Sequence, residues 1–189
     1  MLKLKPLSAN EATDSETNAL LCATQRRVGF IPNMQGIMAN SPAALRLYAF
    51  GNELLSGSSL TASERTVVFM AASMANGCDY CVAAHSAGAK VSPGVLQALR
   101  VDREIVEDER LETLRRFVKR LVVKRGQLTS EELDDLLAAG YEEKQVLDVL
   151  SAVALKTLTN YIGHLIEVPV DEVFMQYIPN ALDQNAKSE

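Results

Sequence analysis

An all-α, multi-helix fold is what this sequence predicts, and three observations predict it. Strand signals are nearly absent along the 189 residues. Helix starts are marked repeatedly by Ser/Thr-x-x-Glu boxes and Ser-Pro pairs, whose side chains satisfy the unpaired amides of a first turn. Apolar residues between those marks recur at three- and four-residue steps, the spacing of one helix face. At this length the expectation is a single domain with a core large enough to need no disulfide staples.

The elements follow in order, with boundaries good to about 2–4 residues. Ser8 and Glu11 form a capping box that opens a helix over about 8–25. The connection "VGFIPNMQG" is hydrophobic and is expected to be packed down. Ser41-Pro42 starts a helix at about 42–56, and Thr61-x-x-Glu64 starts another at about 62–75, which Asn76-Gly77 ends. A helix at about 79–90 begins at once with Cys78. Ser92-Pro93 opens about 93–100. Over about 103–125, Leu111, Leu114, Val118, Leu121 and Val122 draw one apolar stripe beside the solvated run "DREIVEDERLETLRR". Gly126 stops it in a left-handed cap. Thr129-x-x-Glu132 opens about 130–139, which Gly140 closes. The last helix, about 142–166, is apolar over more of its circumference and belongs centrally or at a subunit interface.

Composition excludes several function classes. Hydrophobic residues are 48%, charged residues 23% and the net charge is −5, with Lys and Arg scattered among acids. That argues against a nucleic-acid surface. No apolar run approaches the roughly 18 residues of a membrane span. "MLKLKPLSANEATDSETNALL" holds no uninterrupted apolar h-region. The expected location is the cytoplasm, where a close cysteine pair is catalytic or metal-binding before it is structural.

Such a pair exists. The chain has three cysteines and two histidines, and "CDYCVAAH" gathers Cys78, Cys81 and His85. On a helix they stand at i, i+3 and i+4 steps and project from one face. Cys78 lies where the helix dipole favours a thiolate, while His85 is placed to hold Cys81 ionised. These two arguments leave the reacting sulfur open. A thiolate oxidised by peroxide becomes a sulfenic acid, which a cysteine one turn away converts to a disulfide. Haem attachment would need the histidine directly after the second cysteine, where Val82 stands. Zinc needs a fourth ligand, and only Cys22 or His164 remains to supply it.

The segment "LTASERTVVFMAASMANGCDYCVAAHSAGA" resembles the core of the carboxymuconolactone decarboxylase superfamily, in its alkylhydroperoxidase D-like, peroxidase-related branch. "GFIPNMQGIMANSPAALRLYAFGNELL" upstream and "LDDLLAAGYEEKQVLDVLSAVALKTLTNYIGHL" downstream are similar to the same branch. The resemblance implies a homo-oligomeric helical protein and a cofactor-free, thiol-dependent reductase of hydroperoxides. In that reading Cys81, paired with His85, attacks the peroxide, and Cys78 resolves the sulfenic acid. An external dithiol, a lipoyl protein or a thioredoxin-like one, reopens the disulfide.

Two departures stand out. Alkylhydroperoxidase D proper carries a relay glutamate twelve residues before its first cysteine, where this chain has Thr66; Glu64 lies about 200° away around the helix. Between the cysteines, where a histidine is common, stands Tyr80, either a donor to the thiolate or a packing residue. Asn160 and His164 are further candidates for the pocket, although His164 also suits a helix C-terminus. Cys22, Met70 and Met74 read as core residues. Two other readings stand beside the reductase: a zinc-binding or interaction module on the same cluster, and a decarboxylase, against which the dithiol counts.

Overall fold

The computed structural model describes residues 2–178, and among these every regular element is a helix. In chain order they are α1 (Ser15–Val28), α2 (Asn33–Met38), α3 (Pro42–Ser56), α4 (Ala62–Ala75), α5 (Asp79–Ala87), α6 (Pro93–Arg100), α7 (Glu109–Val123), α8 (Ser130–Ala138) and α9 (Glu143–Leu165). Short 3₁₀ segments at Ala9–Glu11 and Glu172–Tyr177 flank the series.

The caps act where the sequence places them. The Glu64 and Glu132 carboxylates accept from the amides of Thr61 (2.7 Å) and Thr129 (3.0 Å). The Ser92 hydroxyl accepts from the Val95 amide at 3.2 Å. Gly126 and Gly140 take the left-handed conformation, at φ 82° and 87°.

Four differences have local causes. The Ser8–Glu11 box closes only one 3₁₀ turn, because Asp14 restarts the helix by accepting from the Glu16 and Thr17 amides. The connection after α1 contains α2, whose Met34, Ile37 and Met38 are buried. It has no side-chain cap and no polar face, so it reads as a loop. α5 stops at Ala87, short of the expected end, with Gly88 as its C-cap. α7 starts at Glu109 because Asp108 caps it, while the Glu112 carboxylate accepts from the buried Ile105 amide at 2.9 Å.

α4 is the organising helix. Val67, Val68, Met70 and Ala72 are fully enclosed against α7 and α9. Leu111, Leu114, Val118 and Leu121 supply the α7 stripe, each burial stabilising by about 1.5–3 kcal/mol. α9 is not enclosed to the same degree: Leu147, Leu150, Tyr161 and Leu165 face outward. A groove of about 570 Å³ runs between α3 and α9 over Leu47, Leu54, Leu155 and Leu158. A second apolar cluster joins Leu21, Met34, Met38, Leu45 and Phe174 to Tyr80, Cys78 and Cys81. No described helix is long and apolar enough to cross a membrane.

Candidate active site

The join between α4 and α5 sets the site. Gly77, at φ 68°, turns the chain so that the Cys78 amide donates to the Ser73 carbonyl at 2.9 Å. This six-to-one bond ends α4 and lets α5 begin immediately. Cys78 is consequently the N-cap of α5 (φ −100°, ψ 90°) and not a member of its first turn. An alanine at 77 would have to enter a left-handed conformation. Gly77→Ala is therefore expected to cost about 1–2 kcal/mol, read as a lowered denaturant midpoint.

α9 crosses this join with one polar stripe. Lys156, Thr159, Asn160 and Gly163 recur at three- and four-residue steps, so they share a face. Each meets a different part of the site. Lys156 Nζ donates to His85 Nε2 at 2.6 Å. Thr159 Oγ1 lies 3.9 Å from Cys81 Sγ. Asn160, fully buried, accepts from Asn76 Nδ2 at 2.9 Å and donates to Ser73 Oγ at 3.2 Å. Gly163 leaves room for the Cys78 sulfur, since a Cβ there would lie 3.1 Å from it.

The two cysteines are reduced, buried and electrostatically unlike. The hydrogen bond from the Cys78 thiol draws Cys81 down to about 6, helped by the Lys156 ammonium, Asn160 and Thr159 and opposed by burial. The same bond, with burial, pushes Cys78 well above the usual thiol range. That outweighs the dipole argument for a Cys78 thiolate. Cys81 lines a cavity of about 1030 Å³ bounded by α1, α2, α3, α5 and α9, whereas Cys78 does not line it. His85 shares that wall, its ring 5.0 Å from Phe69. Burial and the adjacent Lys156 hold its imidazole well below the usual histidine range, and therefore neutral.

The remaining sequence candidates divide. Tyr80 lines the cavity, but its hydroxyl donates to Asp171 Oδ2 at 2.6 Å and accepts from the Met34 amide at 3.2 Å. It clasps the start of α2 to the chain beyond α9 and does not serve the thiolate. Glu64 is 1% exposed, closes its capping box and pairs with Arg110 at 2.6 Å, away from the cavity. The Thr66 hydroxyl donates to the Ala62 carbonyl and accepts from the Lys90 amide. His164 is exposed and stacks on Tyr161, so it does not reach the dithiol. Cys22 sits on α1 beside Asn18. The fourth zinc ligand is thus missing from both places that could have supplied it, and no cluster suited to a metal occurs among the described residues. Met70 is enclosed in the core, and Met74 packs against it.

Lys156, Thr159 and Tyr48 escaped the sequence reading. For the first two a signal existed: a polar Lys-x-x-Thr-Asn stripe inside an otherwise apolar helix. Nothing local marks Tyr48, a half-buried cavity residue whose phenol is pushed up by burial and by the Cys81 charge.

The all-helical arrangement has counterparts among known proteins. The model of the carboxymuconolactone decarboxylase family matches residues 41–107, the segment that holds α3 to α6 and both site cysteines. No curated protein matches the sequence. Among solved structures, the alkylhydroperoxidase-core, peroxidase-related protein of Ralstonia eutropha JMP134 superposes with a TM-score of 0.79 at 21% identity, over 95% of this chain and 100% of that one. A peroxidase-related protein of Silicibacter sp. TM1040 gives 0.74 at 20%, over 92% and 97%. The debrominase Bmp8, as a cysteine-to-alanine variant with 2,3,4-tribromopyrrole, gives 0.75 at 15%, over 97% of each chain. Residues 41–107 thus match the carboxymuconolactone decarboxylase family, within a chain that has the all-helical alkylhydroperoxidase-core fold.

Proposed function

We propose that the protein is a dithiol hydroperoxide reductase. The observation that carries this reading is the asymmetry of the pair: Cys81 faces the cavity with its thiol drawn down to about 6, and Cys78, which does not line it, is held as a protonated thiol. The Cys81 thiolate attacks the distal peroxide oxygen, which breaks the O–O bond and releases an alkoxide that takes up a proton. The sulfenic acid left on Cys81 condenses with the Cys78 thiol, losing water and forming the Cys78–Cys81 disulfide. An external dithiol, from a lipoyl or thioredoxin-like protein, restores both thiols and leaves as its own disulfide. A second copy of the chain belongs to the same proposal, and light scattering measures it.

One equivalent of cumene hydroperoxide added to fully reduced protein is expected to remove two thiols within seconds to minutes. Thiols that persist for hours would overturn the reading. Leu20, Met34, Leu45, Phe50 and Phe174 line the cavity. Burial of a phenyl-sized group on them favours cumene hydroperoxide over hydrogen peroxide by about 10–100-fold in kcat/KM. The rate should be flat above neutrality and fall as pH drops through about 6, because the reactive form is the thiolate of an acid with a lowered pKa.

A second reading has its own support. Tyr48, Phe50, Tyr80 and Phe174 give the cavity an aromatic wall, and a bromopyrrole-binding debrominase shares the fold. A dithiol reduces a carbon–bromine bond in the same two-electron sense: sulfur takes the bromine, carbon takes a proton, and the second thiol expels bromide. Bromide release from tribromopyrrole by the reduced protein tests it.

A further inference from the structure

Among the described residues, Lys156 is a buried lysine without a carboxylate partner. It is 4% exposed, in the middle of α9, and its contacts are the His85 ring nitrogen at 2.6 Å and the face of Phe69 at 5.4 Å. Removing a charge from water costs several kcal/mol unless an opposite charge is close. Burial does push this lysine below its usual range, and the charges that pull it back are those of Cys81 and then Cys78.

Among the described residues, no other group around the site takes that part. On α5, His85 is neutral and accepts from the lysine. α4 presents Phe69 and Ser73, neither charged. On α3, Tyr48 is a phenol, and Arg46 is tied to Asp14 and Glu16. Arg27 of α1 and Glu53 of α3 are exposed on the cavity's open side.

We propose that Lys156 is the counter-ion of the Cys81 thiolate, a residue that holds the sulfur ionised and keeps His85 as a neutral acceptor on the cavity wall. The inference rests on Cys81 as the reacting sulfur and deepens that reading. It also closes the proton balance. Attack on a hydroperoxide consumes the thiolate charge, so the ammonium loses its counter-ion and gives its proton to the departing alkoxide. Thiolate, peroxide and ammonium become sulfenic acid, alcohol and amine. When an external dithiol reduces the disulfide, the thiolate re-forms and the lysine regains its proton.

The test is the pH profile of Cys81 alkylation by iodoacetamide, read by peptide mass in a Cys22→Ser background. With the lysine present, the rate is expected to be half-maximal near pH 6. Lys156→Met should move that midpoint upward by about 1–3 pH units, the effect of removing a close opposite charge. Lys156→Arg should return most of the way, and His85→Gln should stay within about half a unit of the parent. Should methionine disturb folding, Lys156→Gln keeps a polar head in place and gives the same reading. An unmoved midpoint in Lys156→Met or Lys156→Gln overturns the proposal, as does a shift in His85→Gln equal to that of the lysine variants. Alkylation needs no peroxide: a protein inert to hydroperoxides that still shows the lysine-dependent midpoint retains the counter-ion and loses only the reductase reading.

Discussion

A Cys81→Ser chain is expected to lose hydroperoxide reduction by roughly 10³-fold or more in kcat/KM. A serine hydroxyl in that position stays un-ionised at neutral pH and forms no sulfenic acid. Of the two thiols that remain, neither lines the cavity, and Cys78 is held protonated. The Cys78→Ser chain should differ in kind. Its Cys81 still faces the cavity, and serine retains a hydroxyl at position 78 to donate to it. One equivalent of peroxide should therefore convert Cys81 to a sulfenic acid that accumulates, detected as a dimedone adduct, and the cycle should stop there. Thiol counting beside mass spectrometry separates the two variants. Wild-type turnover in Cys81→Ser, or continued cycling in Cys78→Ser, would reverse the assigned order.

Asn160→Leu is expected to strike stability and reactivity together. The amide sits between α4 and α9, accepts from Asn76 and donates to Ser73, and its hydrogen bonding also favours the ionised forms of both sulfurs. Leucine leaves the buried Ser73 hydroxyl and the half-buried Asn76 amide without these partners. The loss at buried Ser73 costs about 1–3 kcal/mol and that at half-buried Asn76 about 1 kcal/mol, so about 2–4 kcal/mol is expected in all. In a chain of this size that lowers Tm by about 4–16 °C. The Cys81 thiol should also titrate higher, so its alkylation midpoint rises above that of the parent. A variant with parental melting and midpoint would show the asparagine to be idle. Asn160→Ser, which keeps a hydroxyl donor, should recover part of both losses.

The fold was legible because its signals are local. A capping box is written in four residues, and the left-handed stops at Gly126 and Gly140 are written in one. α2 was not legible, because six residues without a polar face or a capping side chain carry no periodicity to read. The start of α7 was misplaced because the Ile105 amide bonds to Glu112 seven residues on, a contact that helix propensity does not contain. At the site, Cys78, Cys81 and His85 could be grouped since they lie within one helical stretch. His164 looked as eligible as Asn160. Four residues apart, they lie on nearby rows of α9, and only packing decides that the asparagine faces the sulfurs while the histidine faces solvent.

Sequence alone determined the helical class, the order of most helices, the dithiol and its one-face spacing with His85. All of these follow from interactions within about one turn of chain. Tertiary structure decided the surroundings in which the two sulfurs differ. Cys81 meets Thr159 on α9, and His85 meets Lys156, which is 71 positions away in the chain. It also decided that Tyr80 holds Asp171, 91 positions away, and that Glu64 holds Arg110. A thiol's ionisation depends on the sum of charges, hydrogen bonds and lost water around it. Here that sum is assembled across α5 and α9, and spacing along one helix cannot express it.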